Sequence, residues 1–73
     1  MNPRPLEVQI LRKGRKEDVL DVTADPADTI ALRALLTDWL RGHGWAEGHW
    51  AEFELVAFDA GTWKRVAKVR ARG

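Results

Sequence analysis

His43, Glu47 and His49 stand close together, and imidazole with carboxylate is a ligand set that suits zinc or nickel. They fall in a glycine-rich stretch with no second pair of ligands elsewhere. His43 beside a helix C-terminus is favourable without any metal. Neither a metal nor a cofactor is expected. Acid–base catalysis would need a carboxylate pair, and Asp21, Glu52 and Glu54 are the acidic residues to consider. Their alternation with apolar neighbours puts them on solvent-facing strand positions, which reads as a solvated face. Nucleophilic catalysis has no candidate: the chain holds no cysteine, no serine and no tyrosine. A phosphate loop would need a glycine-rich run ending in Gly-Lys-Ser/Thr, and none is present. A non-enzymatic protein is expected.

Two uneven features point to binding instead. The first is aromatic, since four tryptophans are many for 73 residues. Trp50, Val56 and Phe58 share a strand parity opposite to Phe53 and Leu55. They are expected on the sheet face that a helix would leave open, a candidate partner site rich in contact area. The second is basic. Arg12, Lys13, Arg15 and Lys16 follow one strand, and Lys68, Arg70 and Arg72 end another. If those strands are parallel neighbours, both groups meet in one positive patch, suited to phosphate or to an acidic protein surface. The net charge of +1 argues against a strongly basic nucleic-acid binder by bulk charge.

The elements that must position these residues follow from periodicity. From Asp25 to Gly42, Leu32, Leu35, Leu36, Trp39 and Leu40 recur at helical spacing on one face. Asp25 is the expected N-cap, with Pro26 at the first position, and Gly42 the expected left-handed stop. Before the helix, Leu6–Ile10 and Val19–Val22 alternate as strands around a charged turn at Gly14. After it, His43 to Trp50 reads as a loop and Trp50 to Phe58 as a third strand. Asp59-Ala60-Gly61-Thr62 is a hairpin turn, and Trp63 to Arg70 a fourth strand with Trp63, Ala67 and Val69 inward. Residues 1–5 read as a loose lead and 71–73 as a basic tail.

The fold class expected is α+β, a single 73-residue domain of order β-β-α-β-β. One helix would pack on a four-stranded mixed sheet of order 2-1-4-3, with the last strand parallel to the first at the centre. That is the β-grasp plan. Gln9-Ile10 and then Pro26-Ala27-Asp28-Thr29-Ile30 also resemble the first half of ubiquitin, over roughly Val8 to Ile30. The resemblance to ubiquitin-like (β-grasp) small proteins implies buried strand positions at Ile10, Leu20 and Val22, and a modifier or sulfur-carrier role. The chain closes on Arg72-Gly73 with a single glycine, which weighs against conjugation.

No run approaches the roughly 18 apolar residues of a membrane span. The first residues lack the apolar core of a signal peptide. A cytoplasmic protein without a membrane partner is expected. The leading expectation is an interaction module that binds a protein partner; its size would suit a phage- or mobile-element-encoded protein acting on a host factor. The alternative is a nucleic-acid binder using the basic strand ends.

Overall fold

A computed structural model describes residues 2–71. Period-two alternation of Leu6, Val8 and Ile10 gives β1 (Arg4–Arg12), and β2 (Arg15–Ala24) follows. Lys13 and Gly14 join them, both at positive φ (50° and 81°), the two-residue turn whose twist matches a hairpin. The helix α1 (Thr29–Gly42) comes next, then a short 3₁₀-helix (Glu47–Glu52), β3 (Phe53–Asp59) and β4 (Arg65–Arg70). Arg4 and Pro5 thus belong to β1 and not to a loose lead. The 3₁₀-helix occupies part of the expected loop, so β3 starts at Phe53 and not at Trp50.

The helix starts later than Asp25. Asp28 is the N-cap, its carboxylate accepting from Ala31 N–H at 3.0 Å. Asp25 instead accepts from Ala27 N–H at 2.9 Å and Asn2 N–H at 3.1 Å, closing the turn ahead of the helix. Gly42 is the last helical residue. The left-handed residue is Gly44, at φ 77°, donating to the Arg41 carbonyl.

The structure is α+β, with one helix on a four-stranded antiparallel sheet of order β2-β1-β3-β4. This corrects the expected mixed sheet of order 2-1-4-3. The strand beside β1 is β3, which pairs antiparallel from Leu6↔Asp59 to Arg12↔Phe53, and β4 lies at the edge. Burial explains the difference. Phe53, Leu55 and Ala57 are buried against the helix, and Val56 is buried on the other face. A strand buried on both faces belongs at the centre. Arg65, Lys68 and Arg70 are exposed, and charged residues suit an edge.

Leu32, Leu36 and Leu40 of α1 are buried against Leu6, Val8 and Ile10 of β1, Phe53, Leu55 and Ala57 of β3, and Val69 of β4. The helix crosses from edge to edge. Arg33 Nε donates to the Arg70 carbonyl on β4 at 3.1 Å, and Trp39 Nε1 donates to the Asp18 carboxylate on β2 at 2.8 Å. Leu36 is fully buried at the middle of the apolar stripe. Leu36→Ala should therefore leave a cavity and cost about 2–5 kcal/mol. Thermal melting checks this: a large fall in midpoint is expected, and an unchanged midpoint would mean that the leucine stripe does not carry the core.

Candidate functional site

Because β1 and β4 both run antiparallel to β3, their C-terminal ends lie at the same end of the sheet with β3 between them. The basic residues do gather there, but Glu54 of β3 and Glu52 of the preceding 3₁₀-helix are set among them. Arg12 reaches Glu52 Oε1 with Nε at 3.0 Å and with a terminal nitrogen at 2.9 Å, and its guanidinium lies 4.5 Å over the Trp45 ring. Lys13 Nζ is 3.6 Å from the same oxygen. On the other side Glu54 sits 3.4 Å from Lys68 and 3.8 Å from Arg70. Its Oε2 is buried without a hydrogen-bond donor among the described residues. Four cations meet two carboxylates, so the expected patch is a mixed cluster and not a field of one sign. Lys13, Glu52, Phe53, Glu54 and Arg70 line an open cleft of about 440 Å³ in it. Arg15 and Lys16 are exposed on β2, at the far side of β1 from this cleft. Arg72 lies outside the described residues.

The expected aromatic face is not formed. Trp50 sits in the 3₁₀-helix and only 4% of it is exposed; its Nε1 donates to the Trp45 carbonyl and Arg41 covers its ring at 5.4 Å. It belongs to the helix-side core, because the 3₁₀-turn takes it out of the strand parity that placed it on the open face. Val56 does occupy the open face, but it is 6% exposed, flanked in register by Gln9 and Lys68. Phe58 there is half-buried between Glu7 and Arg65. The open face is a row of long polar side chains around a small apolar centre.

The two histidines have different partners. His43 Nδ1 donates to the Trp39 carbonyl at 2.8 Å, with its ring stacked 4.0 Å from the Trp39 ring. His49 Nδ1 is 3.0 Å from Glu52 Oε2. No group of three metal-ligating side chains occurs among the described residues. Asp18 is held below the usual carboxylate range by the Trp39 indole and then by the Val19 N–H.

The tryptophan that is exposed is Trp63, 61% accessible and at φ 60°. It was expected inward. The bulge between Ala57 and Phe58 shifts the β3–β4 register, and β4 begins only at Arg65, so strand parity does not extend back to Trp63. Asp59 holds the turn that presents it. The Asp59 carboxylate accepts from Gly61 N–H at 2.8 Å and Thr62 N–H at 3.1 Å, and pairs with Arg4 at 3.2 Å. Trp63 N–H donates to the Asp59 carbonyl at 2.7 Å. The same backbone donors, then Arg4, hold the Asp59 carboxyl below its ordinary value. The sequence signal was the Asp-Ala-Gly-Thr turn itself, whose Asp organises backbone donors two and three residues on.

The chain matches no protein-family model, and no curated protein and no solved structure is significantly similar to it. Among the described residues, no helix is long and apolar enough to cross a membrane.

Glu52 ties the 3₁₀-helix to β1. Its carboxyl is pushed down to about 2 by the His49 hydrogen bond, then by Arg12. A depressed carboxylate stabilises the fold fully above its ordinary value of 4.5, and that stabilisation is lost as pH falls from there toward about 2. Stability followed by denaturant titration should fall across this window. Glu52→Gln should be less stable at neutral pH and flatter below pH 4.5; an identical pH slope would show that Glu52 does not carry the acid sensitivity.

Proposed function

We propose that the chain is a small non-enzymatic module that binds a protein partner, with Trp63 as the anchor in place of the expected Trp50, Val56 and Phe58 face. The observation that carries this is the strained and exposed state of Trp63. A bulky residue at positive φ costs roughly 1–2 kcal/mol, and glycine would adopt the same backbone freely. The fold holds this strain through the Asp59 turn while 61% of the Trp63 surface stays exposed. Among the described residues the Trp63 ring has no aromatic, cationic or hydrogen-bonding partner, while Trp39, Trp45 and Trp50 all do. Strain without intramolecular return is the pattern of a recognition residue. A chain of this size would suit a phage- or mobile-element-encoded protein that occupies a host factor.

The second reading is nucleic-acid binding at the basic end, favoured by Lys13 and Arg70 lining one cleft and disfavoured by Glu52 and Glu54 within it. Salt separates the two, since phosphate contacts weaken steeply as salt rises. The modifier or sulfur-carrier reading rests on Arg72 and Gly73, outside the described residues, and no observation favours it.

Trp63→Gly is the informative variant. It should raise stability by about 0.5–1 kcal/mol by removing backbone strain. Against a partner recovered from the source cell on the parent chain, it should lose about 2 kcal/mol or more of affinity, with little salt dependence. A variant that melts lower and binds as the parent does would make Trp63 a packing residue and end this reading.

A further inference from the structure

The two edges of the sheet are built differently. Main-chain N–H and C=O groups along an antiparallel strand alternate between its two neighbours. Two bonds fix the phase on β3. Asp59 N–H donates to the Lys64 carbonyl at 2.9 Å, toward β4, and Lys13 N–H donates to the Glu52 carbonyl at 3.0 Å, toward β1. Leu55 and Ala57 therefore bond Val69 and Ala67, their partners in register. Lys68 and Arg70 turn their main-chain groups away from the sheet. The Arg70 carbonyl is indeed reached from outside, by Arg33 Nε at 3.1 Å.

On β2 the same alternation turns Val19, Asp21 and Thr23 outward. There the Asp18 carboxylate caps the Val19 N–H at 2.8 Å, so that edge is blunted by its own side chain. On β4 no such cap protects Lys68 among the described residues. Ile30, Arg33, Ala34 and Thr37 form a helix stripe at i, i+3, i+4 and i+7, and they line a shallow cleft of about 390 Å³. Arg33 ties this stripe to the end of β4. Ile30, in the same stripe, is 78% exposed. The segment from Lys64 to Arg70 carries Lys64, Arg65, Lys68 and Arg70 with no acidic residue, and Glu54 offsets it from β3.

The geometry points to β4 as the acceptor of an extended strand from a protein partner, one that alternates apolar residues facing Ile30 and Ala34 with acidic residues beside Lys68 and Arg70. This rests on the protein-binding reading above and assigns the chemistry of the partner segment. Main-chain bonds to Lys68 supply affinity, and the alternation supplies specificity. Trp63 stands just ahead of β4, placed to meet the same segment at its end. A second copy is a poor occupant, because β4 against β4 sets Arg65, Lys68 and Arg70 against like charges.

The probe is a synthetic peptide of about eight residues alternating Glu and Val, within the usual length of a strand. A Lys–Val peptide, a Glu–Val peptide with a central proline, and a single-stranded oligonucleotide serve as controls. Binding is read by NMR on the isotope-labelled chain. The Glu–Val peptide should slow exchange of the Lys68 amide by about tenfold or more and shift the Ile30 methyls. The lysine and proline peptides should bind about tenfold more weakly or not at all. Ile30→Asp, at an exposed position that leaves the fold intact, and Lys68→Glu should each weaken the Glu–Val peptide by a similar factor. Binding of that peptide away from β4, or none at millimolar concentration, overturns the assignment. So does an oligonucleotide that shifts Lys68 and Arg70 where the peptide does not, or a dimer joined through β4. If the assignment fails while Trp63→Gly still loses the recovered partner, protein binding stands on another surface. If both fail, the protein-binding reading fails with it.

Discussion

A helix of 14 residues is about 21 Å long and roughly 10 Å across, too narrow to roof four strands set about 4.8 Å apart. The chain meets this constraint by running α1 across the sheet and fastening it at both edges. Leu32, Leu36 and Leu40 fill the centre over β1 and β3, where burial is complete. Beyond the reach of the leucines, polar atoms take over: Trp39 to Asp18 at β2 and Arg33 to the Arg70 carbonyl at β4. What the helix does not cover follows from the same shortage. Leu20, Val22 and Ala24 of β2 stay half-buried, and Ile30 stays in solvent.

The place of β3 decides the electrostatics. It brings Glu54 between β1 and β4, and Glu52 of the preceding 3₁₀-turn to the same end, so cations that would have formed a single-signed patch are paired instead. Glu52 in particular serves Arg12, Lys13 and His49 together, holding the 3₁₀-helix against the first hairpin. Burial of Arg12 over Trp45 belongs to this fastening and not to a free surface. Among the described residues, a strained tryptophan on the last turn, an edge strand with outward main-chain groups and an exposed isoleucine on the helix flank have no such internal role. All three lie on or beside the last hairpin and the helix stripe tied to it.

Much of the fold was legible from alternation and helical spacing. Leu6, Val8 and Ile10, the helix leucines, and Phe53, Leu55 and Ala57 are inward as their periods require. Strand order was not legible from the β-β-α-β-β pattern, since hairpins on both sides of a helix allow either β3 or β4 at the centre. The discriminating signal was Val56 between Leu55 and Ala57, a run buried on both faces, against a β4 studded with Arg65, Lys68 and Arg70. The candidate site suffered more. Trp50 escapes the strand period because its residues close into a 3₁₀-turn, and Trp63 escapes another because a bulge intervenes. Period-two reasoning fails wherever the backbone leaves the strand, and aromatic residues at strand ends are where that error costs most.

Cross-strand NOEs between backbone protons test the central claim, that β3 holds the middle and leaves β4 at the edge, most directly. The expected result is an antiparallel set joining Glu7 to Phe58 and Gln9 to Val56, a second joining Leu55 to Val69, and none between β1 and β4. A parallel set joining β1 to β4 would contradict it, removing both the carboxylates from among the basic ends and the free edge on which the proposed recognition rests.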